Sequence, residues 1–409
     1  MTGDELTVVV DRLRWDRRRD PYRGRREYSQ AARQVAEECD RLVGEGRADL
    51  AVPVLRKAVD RITRALMYMD DSSGIVGDDL QELMGLYARA CAAARPNPVS
   101  LAGWLVKLEC DGPGWPRVML ADFVPALGER GIAEVQRLVA ERARSTDPES
   151  WTGAFAVRDL REQLAEVSGD VDRYVAVLAE HLTNAVQYQR IVEALRAAGR
   201  RDEAVDWARR GVAADPGSPY TDRLRDLLVG MLVAAGDTPG AVRVRREDFA
   251  RHPTAARYRS LIDTMGTAGG DDPTTWAMEV LRGQITVQPA YASELVDVLL
   301  AAGRDDEAWQ EALHHRRWLG GPQWQTLLHR RAATHPKEVI QPYRDLVEQA
   351  ILNSADKRRY RRAVALLTAL RAVYQAAGEP TTFGRYLAEL RIAHKRRPTF
   401  LKTLDAAGL

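Results

Sequence analysis

Cysteine is scarce in this chain: Cys39, Cys91 and Cys110 are the three in its 409 residues. Three widely separated cysteines match neither a disulfide framework nor a zinc-binding set. We therefore expect buried free thiols and no metal site built on sulfur.

Long apolar runs are also absent, because no stretch approaches the roughly 18 apolar residues of a membrane-spanning helix. The first residues include Asp4, Asp11 and several arginines, so they do not resemble a signal peptide. The formal net charge is only +2, which gives no strong field toward nucleic acid or membrane. These features predict a cytoplasmic protein without membrane partners.

Familiar catalytic motifs are missing as well. The chain has no Gly-rich phosphate loop, no Gly-x-Ser-x-Gly and no His-Glu-x-x-His. Paired carboxylates such as Asp202–Glu203 and Asp305–Asp306 fall at predicted helix starts, where they favour the helix dipole. We therefore predict no catalytic, cofactor-binding or metal-binding residue and a chain that is not an enzyme.

What the sequence does contain is a recurring short pattern, in which a Gly is followed five residues later by an Ala. Copies lie at Gly199, Gly236 and Gly303, and a fainter one at Gly269 has Thr274 in place of the Ala. The steps between these glycines are 37, 33 and 34 residues. A period near 34 residues is typical of stacked helix pairs.

Apolar residues precede each Gly by four, seven and eight positions, which places them on one face of a helix. They are Leu195, Leu232, Met265 and Leu299; Val192, Val229, Ile262 and Val296; and Ile191, Leu228, Leu261 and Leu295. The Gly would end this helix in a left-handed conformation. A second helix with small alanines follows and ends before Pro216 in the first copy and before Pro253 in the second. Replacing Gly199 by Val should therefore destabilise the chain if its φ is positive.

Residues 198–204, with the closing Asp215–Pro216, resemble a tetratricopeptide (TPR) repeat. This resemblance implies an all-α solenoid of antiparallel helix pairs, with divergent N- and C-terminal helical parts. The alternative is an irregular helical bundle in which the glycine spacing is coincidental. The predicted regions are an N-terminal arm or linker (1–28), a helical region (29–183), TPR-like repeats (184–321) and a helical capping region (322–409).

The N-terminal part carries two further features. The arm mixes eight arginines with acids and aromatics, which is compatible with a nucleic-acid-binding arm or with a solvated linker. Gly46 repeats the glycine signal, with Leu42 before it and Ala51 after it. Residues 70–79 are rich in Asp and Gly, but their spacing does not fit an EF-hand. We predict a turn there, with Asp78 or Asp79 capping the next helix.

A basic, aromatic stretch follows the repeats. Residues 312–337 contain no acid, and their cations and aromatics can contact phosphates and stack bases. The candidate surface for a partner or nucleic acid consists of Arg316, Arg317, Trp318, Trp324, Arg330 and Arg331. Alternatively, the two tryptophans pack between helices while the arginines face water. The tail at residues 391–402 is also free of acids, and we interpret it as a capping helix with a charged outer face.

A second resemblance concerns residues 336–344, 360–370 and 383–400, together with residues 70–74, 90–91 and 101–102. They look similar to the C-terminal helical region of bacterial SWIM zinc-finger family proteins. That family's Cys-x-Cys and Cys-x-His zinc motif is absent here, so its zinc and DNA binding cannot be assigned to any residue of this chain.

These observations lead to three hypotheses. The first is a non-catalytic scaffold that binds a protein or peptide partner on a concave helical surface. The second is a nucleic-acid-associated accessory protein related to SWIM zinc-finger proteins. The third is an enzyme of a type that the sequence does not reveal.

Overall fold

The computed structural model describes residues 10–14, 25–145, 151–266 and 272–409, with only the backbone of Trp151 and Thr152. This part of the chain contains 20 α-helices and no β-strand, which confirms the predicted all-α class. Most of the predicted arm at 1–28, the loop at 146–148 and Gly269 lie outside the described residues. Among those residues, no helix combines the length and the apolar character needed to cross a membrane.

The chain divides into two compact units, residues 1–211 and 212–409. The first unit contains α1 (Arg25–Gly44), α2 (Ala48–Leu66), α3 (Ile75–Ala94), α4 (Pro98–Asp111), α5 (Leu120–Ser145), α6 (Trp151–Val167), α7 (Val171–Ala179), α8 (Ala185–Ala197) and most of α9 (Arg201–Ala214). Helix α5 has a kink at Gly128, where φ is 54°.

The second unit continues with α10 (Thr221–Ala234), α11 (Thr238–Arg251), α12 (Ala255–Met265), α13 (Pro273–Val287), α14 (Ala292–Ala301), α15 (Asp305–His314), α16 (Gly321–Thr334), α17 (Pro336–Leu352), α18 (Arg359–Ala376), α19 (Pro380–Ala393) and α20 (Pro398–Ala406). Short 3₁₀ turns at Pro289–Tyr291 and Arg316–Trp318 precede α14 and α16. The two units are described separately below.

Within each unit, the helices that pack most extensively are neighbours in the chain or are separated by a single helix. In the first unit α2 packs on α3 and α1 also contacts α3; in the second unit α17 packs on α18 and α18 also contacts α20. Each helix thus finds its partners nearby in the sequence, which is the contact pattern of stacked helix pairs.

One type of turn closes several helices. Gly199 has a φ of 76°, a left-handed conformation that costs Gly no side-chain clash. Its N–H donates to the carbonyl of Arg196 at 3.0 Å, and the N–H of Arg200 donates to the carbonyl of Leu195 at 2.9 Å. Together these bonds form a Schellman motif, which satisfies two carbonyls at the helix end. The same pair of bonds and a positive φ recur at Gly46, Gly236, Gly303, Gly378 and Gly408.

The alanine of the pattern has an equally consistent position. Five residues after their glycines, Ala51, Ala204, Ala241 and Ala308 are completely buried. A side chain this small lets the second helix of each pair approach the first closely. The helix-turn-helix prediction is therefore confirmed at Gly46, Gly199, Gly236 and Gly303.

The fainter copy departs from this pattern. Its first helix, α12, ends at Gly266, where φ is 57° and the N–H donates to the carbonyl of Ile262. That is three residues before the predicted Gly269. Met265 and Ile262 are consequently only half-buried, whereas their counterparts in the other copies are buried.

Each unit has its own hydrophobic core. The first core extends from Val10 to Leu164 and contains Tyr87, whose ring lies 5.0 Å from that of Trp104. Cys39 and Cys91 are buried in it, and Cys110 is half-buried. Burial raises the pKa of the Cys91 thiol to about 11, so this thiol stays protonated at neutral pH. The second core extends from Phe249 to Leu409.

The acidic loop before α3 is a helix cap, but the capping residue is not the predicted one. The carboxylate of Asp71 accepts hydrogen bonds from the backbone N–H groups of Val76 and Gly77, at 3.2 and 2.8 Å. Asp79 is instead buried within α3 and forms an ion pair with Arg33 at 2.8 Å. The helix begins at Ile75, so Asp79 lies too far into it to cap its first turn.

Candidate partner-binding surfaces

The predicted basic, aromatic residues lie on two consecutive elements of the second unit. Arg316, Arg317 and Trp318 form the 3₁₀ turn after α15, while Trp324, Arg330 and Arg331 belong to α16.

Trp324 is part of the core. Only 4% of it is exposed, and its ring stacks on that of Trp309 with centroids 5.4 Å apart and planes 10° apart. The guanidinium of Arg316 lies 4.4 Å from the centre of the Trp324 ring, and burial lowers the pKa of this arginine. The indole is therefore buried against Trp309 and Arg316 and is not available to stack a base.

Two of the arginines are already paired with carboxylates. Arg330 contacts Asp305 at 2.7 Å, and the buried Arg331 contacts Asp306 and also Glu338, the latter at 2.9 Å. Asp305 and Asp306 start α15, and Glu338 lies in the first turn of α17. These acids flank the acid-free stretch in sequence, but folding brings them onto its arginines.

The remaining pair, Arg317 and Trp318, is exposed. The guanidinium lies 5.0 Å from the centre of the indole ring, and 38% of Trp318 is accessible. The six predicted residues therefore do not form one continuous surface. Their role as a partner or nucleic-acid site remains a prediction, and carboxylates compensate two of the four arginines.

His314 and His315 lie beside this turn, with ring centres 4.5 Å apart. In the part of the chain that the structure describes, no group of three or more His, Cys, Asp or Glu side chains is arranged to hold a metal ion.

A groove in the first unit was not predicted from the sequence. It has a volume of about 490 Å³, within the range of roughly 300–1,000 Å³ that is usual for ligand sites. Its walls are the end of α6, the turn at Gly169, the start of α7 and one face of α8. Gly169 has a φ of 71°, which permits the sharp turn between α6 and α7.

Small side chains create the floor of this groove. Ala194, Ala197 and Ala198 stand three and four residues apart and thus share one face of α8. Val171 faces them from the start of α7. The alanine spacing was visible in the sequence, but the gap above it depends on how α6 and α7 are placed.

The polar wall of the groove is formed by Arg190 and Tyr174. The guanidinium of Arg190 donates to the hydroxyl of Tyr174 at 3.2 Å and forms an ion pair with Glu162, which is 9% exposed. Burial raises the pKa of the Tyr174 hydroxyl, and the charge of Arg190 opposes this shift. Arg190 is thus held in place and its charge is matched by Glu162.

Three carboxylates complete the lining: Glu166, Asp170 and Glu193. Asp170 also accepts a hydrogen bond from the N–H of Arg173 at 3.0 Å, so it caps α7. Because Glu162 compensates Arg190, Glu166 and Asp170 contribute negative charge to the groove.

Comparison with known proteins places the chain in a family. Residues 25–403 match the profile of DUF6880, a family of unknown function. The chain belongs to the DUF6880 family. A comparison with curated proteins gives no match. These results do not bear on the resemblance to SWIM zinc-finger proteins, which remains a prediction.

Solved structures with some similarity are helical. The TPR domain of P58(IPK) has 16% identity and a TM-score of 0.19, covering 73% of this chain and 96% of its own. The Cut9–Hcn1 hetero-tetramer of APC/C has 13% identity and a TM-score of 0.22, covering 93% and 89%. Naa15/Naa10 bound to HypK-THB has 12% identity and a TM-score of 0.25, covering 99% and 79%. TM-scores this low do not establish a common fold. The helices and turns described above define the all-α fold of this chain.

Proposed function

We propose that this DUF6880 chain is a non-catalytic helical-repeat scaffold and that the groove between α6, α7 and α8 receives a segment of a protein partner. The groove supports this proposal, because it joins an alanine floor to polar groups, of which Arg190, Tyr174 and Asp170 are held by hydrogen bonds. Such a mixture of apolar area and a few placed polar atoms is typical of recognition sites.

The charge of the groove favours a cationic occupant. Glu166 and Asp170 attract a cation, and Arg190 does not cancel them because it is paired with Glu162. The floor at Ala194 and Ala197 can pack against an aliphatic stem. A lysine or arginine side chain supplies both parts, because its methylene groups are apolar and its end is charged. We infer that the partner presents an extended segment with such a basic residue.

The partner can be captured by placing a photo-crosslinking amino acid, p-benzoylphenylalanine, at Ala197. This residue is exposed and lines the groove. Ala256 on α12 is an equally exposed alanine of the second unit and is the matched control position. We expect a partner that is crosslinked from Ala197 and not from Ala256, with the crosslink on a segment containing Lys or Arg.

Affinity measurements with the purified partner then test the groove itself. Ala197→Trp fills the floor and should weaken binding by about tenfold or more, on the scale of one buried contact. Ala256→Trp should leave the affinity unchanged. Glu166→Lys should also weaken binding, because it reverses one of the attracting charges. Unchanged affinity in both Ala197→Trp and Glu166→Lys would show that the partner binds elsewhere.

A further inference from the structure

Two basic loops meet at one end of the last four helices. The first segment, residues 353–362, consists of the loop between α17 and α18 and the first turn of α18. The second segment, residues 394–397, is the loop between α19 and α20. We name these two segments together the basic end. They contain eight Lys and Arg residues and a single carboxylate, Asp356. The cations are Lys357, Arg358, Arg359, Arg361, Arg362, Lys395, Arg396 and Arg397.

Direct contacts hold the two loops side by side. The buried His394 of the second loop lies 3.0 Å from a carboxylate oxygen of Glu348 in the last turns of α17. The hydroxyl of Tyr360 accepts a hydrogen bond from Arg359 at 3.3 Å, and Arg397 of the second loop, followed by Arg359, lowers the pKa of this hydroxyl. The Tyr360 ring packs on Phe400 of α20 at 5.5 Å.

Little of this positive charge is compensated locally. Among the ion pairs of the described residues, Arg362 is the one member of the basic end with a carboxylate partner, Asp356 at 3.3 Å. The side chains of Lys357, Arg358, Arg361, Lys395 and Arg396 are exposed. This distinguishes the basic end from the stretch around Trp318, where Asp305, Asp306 and Glu338 neutralise two of the arginines.

Helix stability does not account for the cations at the start of α18. Both α18 and α20 begin at the basic end, and neither has an acid in its first turn or a side-chain cap. Cations are unfavourable at a helix N-terminus, where the helix dipole is already positive. The cations in the first turn of α18 therefore oppose its dipole, and a bound anion would relieve that repulsion; Lys395 and Arg396 also follow the C-terminus of α19, where cations are favourable.

We propose that the basic end binds the sugar-phosphate backbone of a nucleic acid. Six of the eight cations are arginines, whose guanidinium groups donate two parallel hydrogen bonds to phosphate. Backbone contacts carry no base specificity, so the binding is independent of sequence. This activity is separate from the groove in the first unit, and either can be lost without the other.

The proposal is tested by equilibrium binding of the full chain to a fluorescent 30-base-pair DNA duplex. The affinity is measured at NaCl concentrations between 50 and 200 mM. Each phosphate contact contributes about −0.9 to the slope of log K against log salt. Five contacts would therefore give a slope of about −4.5. The double variant Lys395→Gln/Arg396→Gln should reduce the steepness by about 1.8 and weaken binding at 50 mM by about tenfold or more.

The control is Arg251→Gln/Arg259→Gln, two exposed arginines on α11 and α12 in the same unit. It removes the same total charge away from the basic end and should retain the wild-type slope. Circular dichroism and thermal melting check that both variants fold as the wild type does.

The exposed apolar residues Leu352 and Ile392 flank the basic end, so binding to a lipid surface also has to be tested. A second experiment with vesicles distinguishes the two ligands. Sedimentation with phosphatidylcholine vesicles, with and without phosphatidylserine, should show no retention that depends on the basic end. Three results would overturn the proposal: no duplex binding at 50 mM NaCl, equal losses in the two double variants, or retention on phosphatidylserine vesicles without duplex binding.

Discussion

Gly236 and Gly230 form a matched pair on α10 and its closing turn. Gly236 ends the helix with a φ of 80°, whereas Gly230 lies within the helix and is exposed. Apart from the adjoining backbone, a Cβ atom added at either position would meet no atom within 4 Å. The change to Ala therefore probes backbone conformation alone at both sites, without a packing effect.

The two changes should have opposite signs. Placing an L-residue in the left-handed conformation costs the folded state roughly 1–2 kcal/mol. Ala also lowers the conformational entropy of the unfolded chain, which stabilises the fold by about 0.4–1 kcal/mol. Gly236→Ala should therefore destabilise by about 1 kcal/mol. Gly230→Ala should stabilise by about 0.5–1 kcal/mol, because Gly loses more conformational freedom than Ala on entering a helix.

Thermal melting gives the global readout, and a change of 1 kcal/mol shifts Tm by about 2–4 °C in a unit of this size. Hydrogen exchange followed by mass spectrometry gives the local one. Amides of α10 and α11 should exchange faster in Gly236→Ala and slower in Gly230→Ala. If both variants shift Tm in the same direction, or if Gly236→Ala is neutral, the left-handed glycine turns do not stabilise the helix pairs.

Further changes probe other features. Gly199→Val should destabilise by about 1 kcal/mol or more in urea unfolding, since the positive φ on which this depends is present. Arg225 is 2% exposed and contacts the buried Asp248 at 3.1 Å, so Arg225→Ala should cost about 3 kcal/mol by the same assay. Trp324→Ala should cost about 3–5 kcal/mol, because it empties a stacked core position. Asp272 caps α13, and the backbone hydrogen bond from Thr274 lowers the pKa of its carboxyl. The stabilisation by this ionised cap is fully present above the pKa that Asp272 has in the unfolded chain, and it is lost as the pH falls through the lower pKa of the folded chain. Thermal melting between pH 6 and pH 2 should therefore show that Asp272→Asn loses less stability in acid than the wild type does.

The sequence predicted the helix pairs because their causes are local. A Gly that must be left-handed, an apolar face before it and a small Ala after it are all within about 13 residues of each other. The same logic failed at Gly378, which closes α18 with the same two hydrogen bonds. The fifth residue after it is the buried Phe383 and not an Ala, so the pattern was not recognised.

The candidate surfaces were harder to predict because they depend on contacts between separate helices. Arg330 and Arg331 lack acids in their own stretch, yet α15 and α17 supply them. The groove beside Arg190 exists because three helices leave a gap, which alanine spacing alone does not show. Similarly, folding places the tail at residues 391–402 beside the first turn of α18, where the ring of Phe400 packs on that of Tyr360.

The short sequence distance between packed helices has a consequence for synthesis. Closing a short segment of chain costs little entropy, so topologies dominated by nearby contacts assemble quickly. We expect α1, α2 and α3 to pack against one another while later helices are still being translated. A ribosome stalled once α5 has emerged should already carry α1–α3 in a protease-resistant state, and digestion of that nascent segment would contradict this order of assembly.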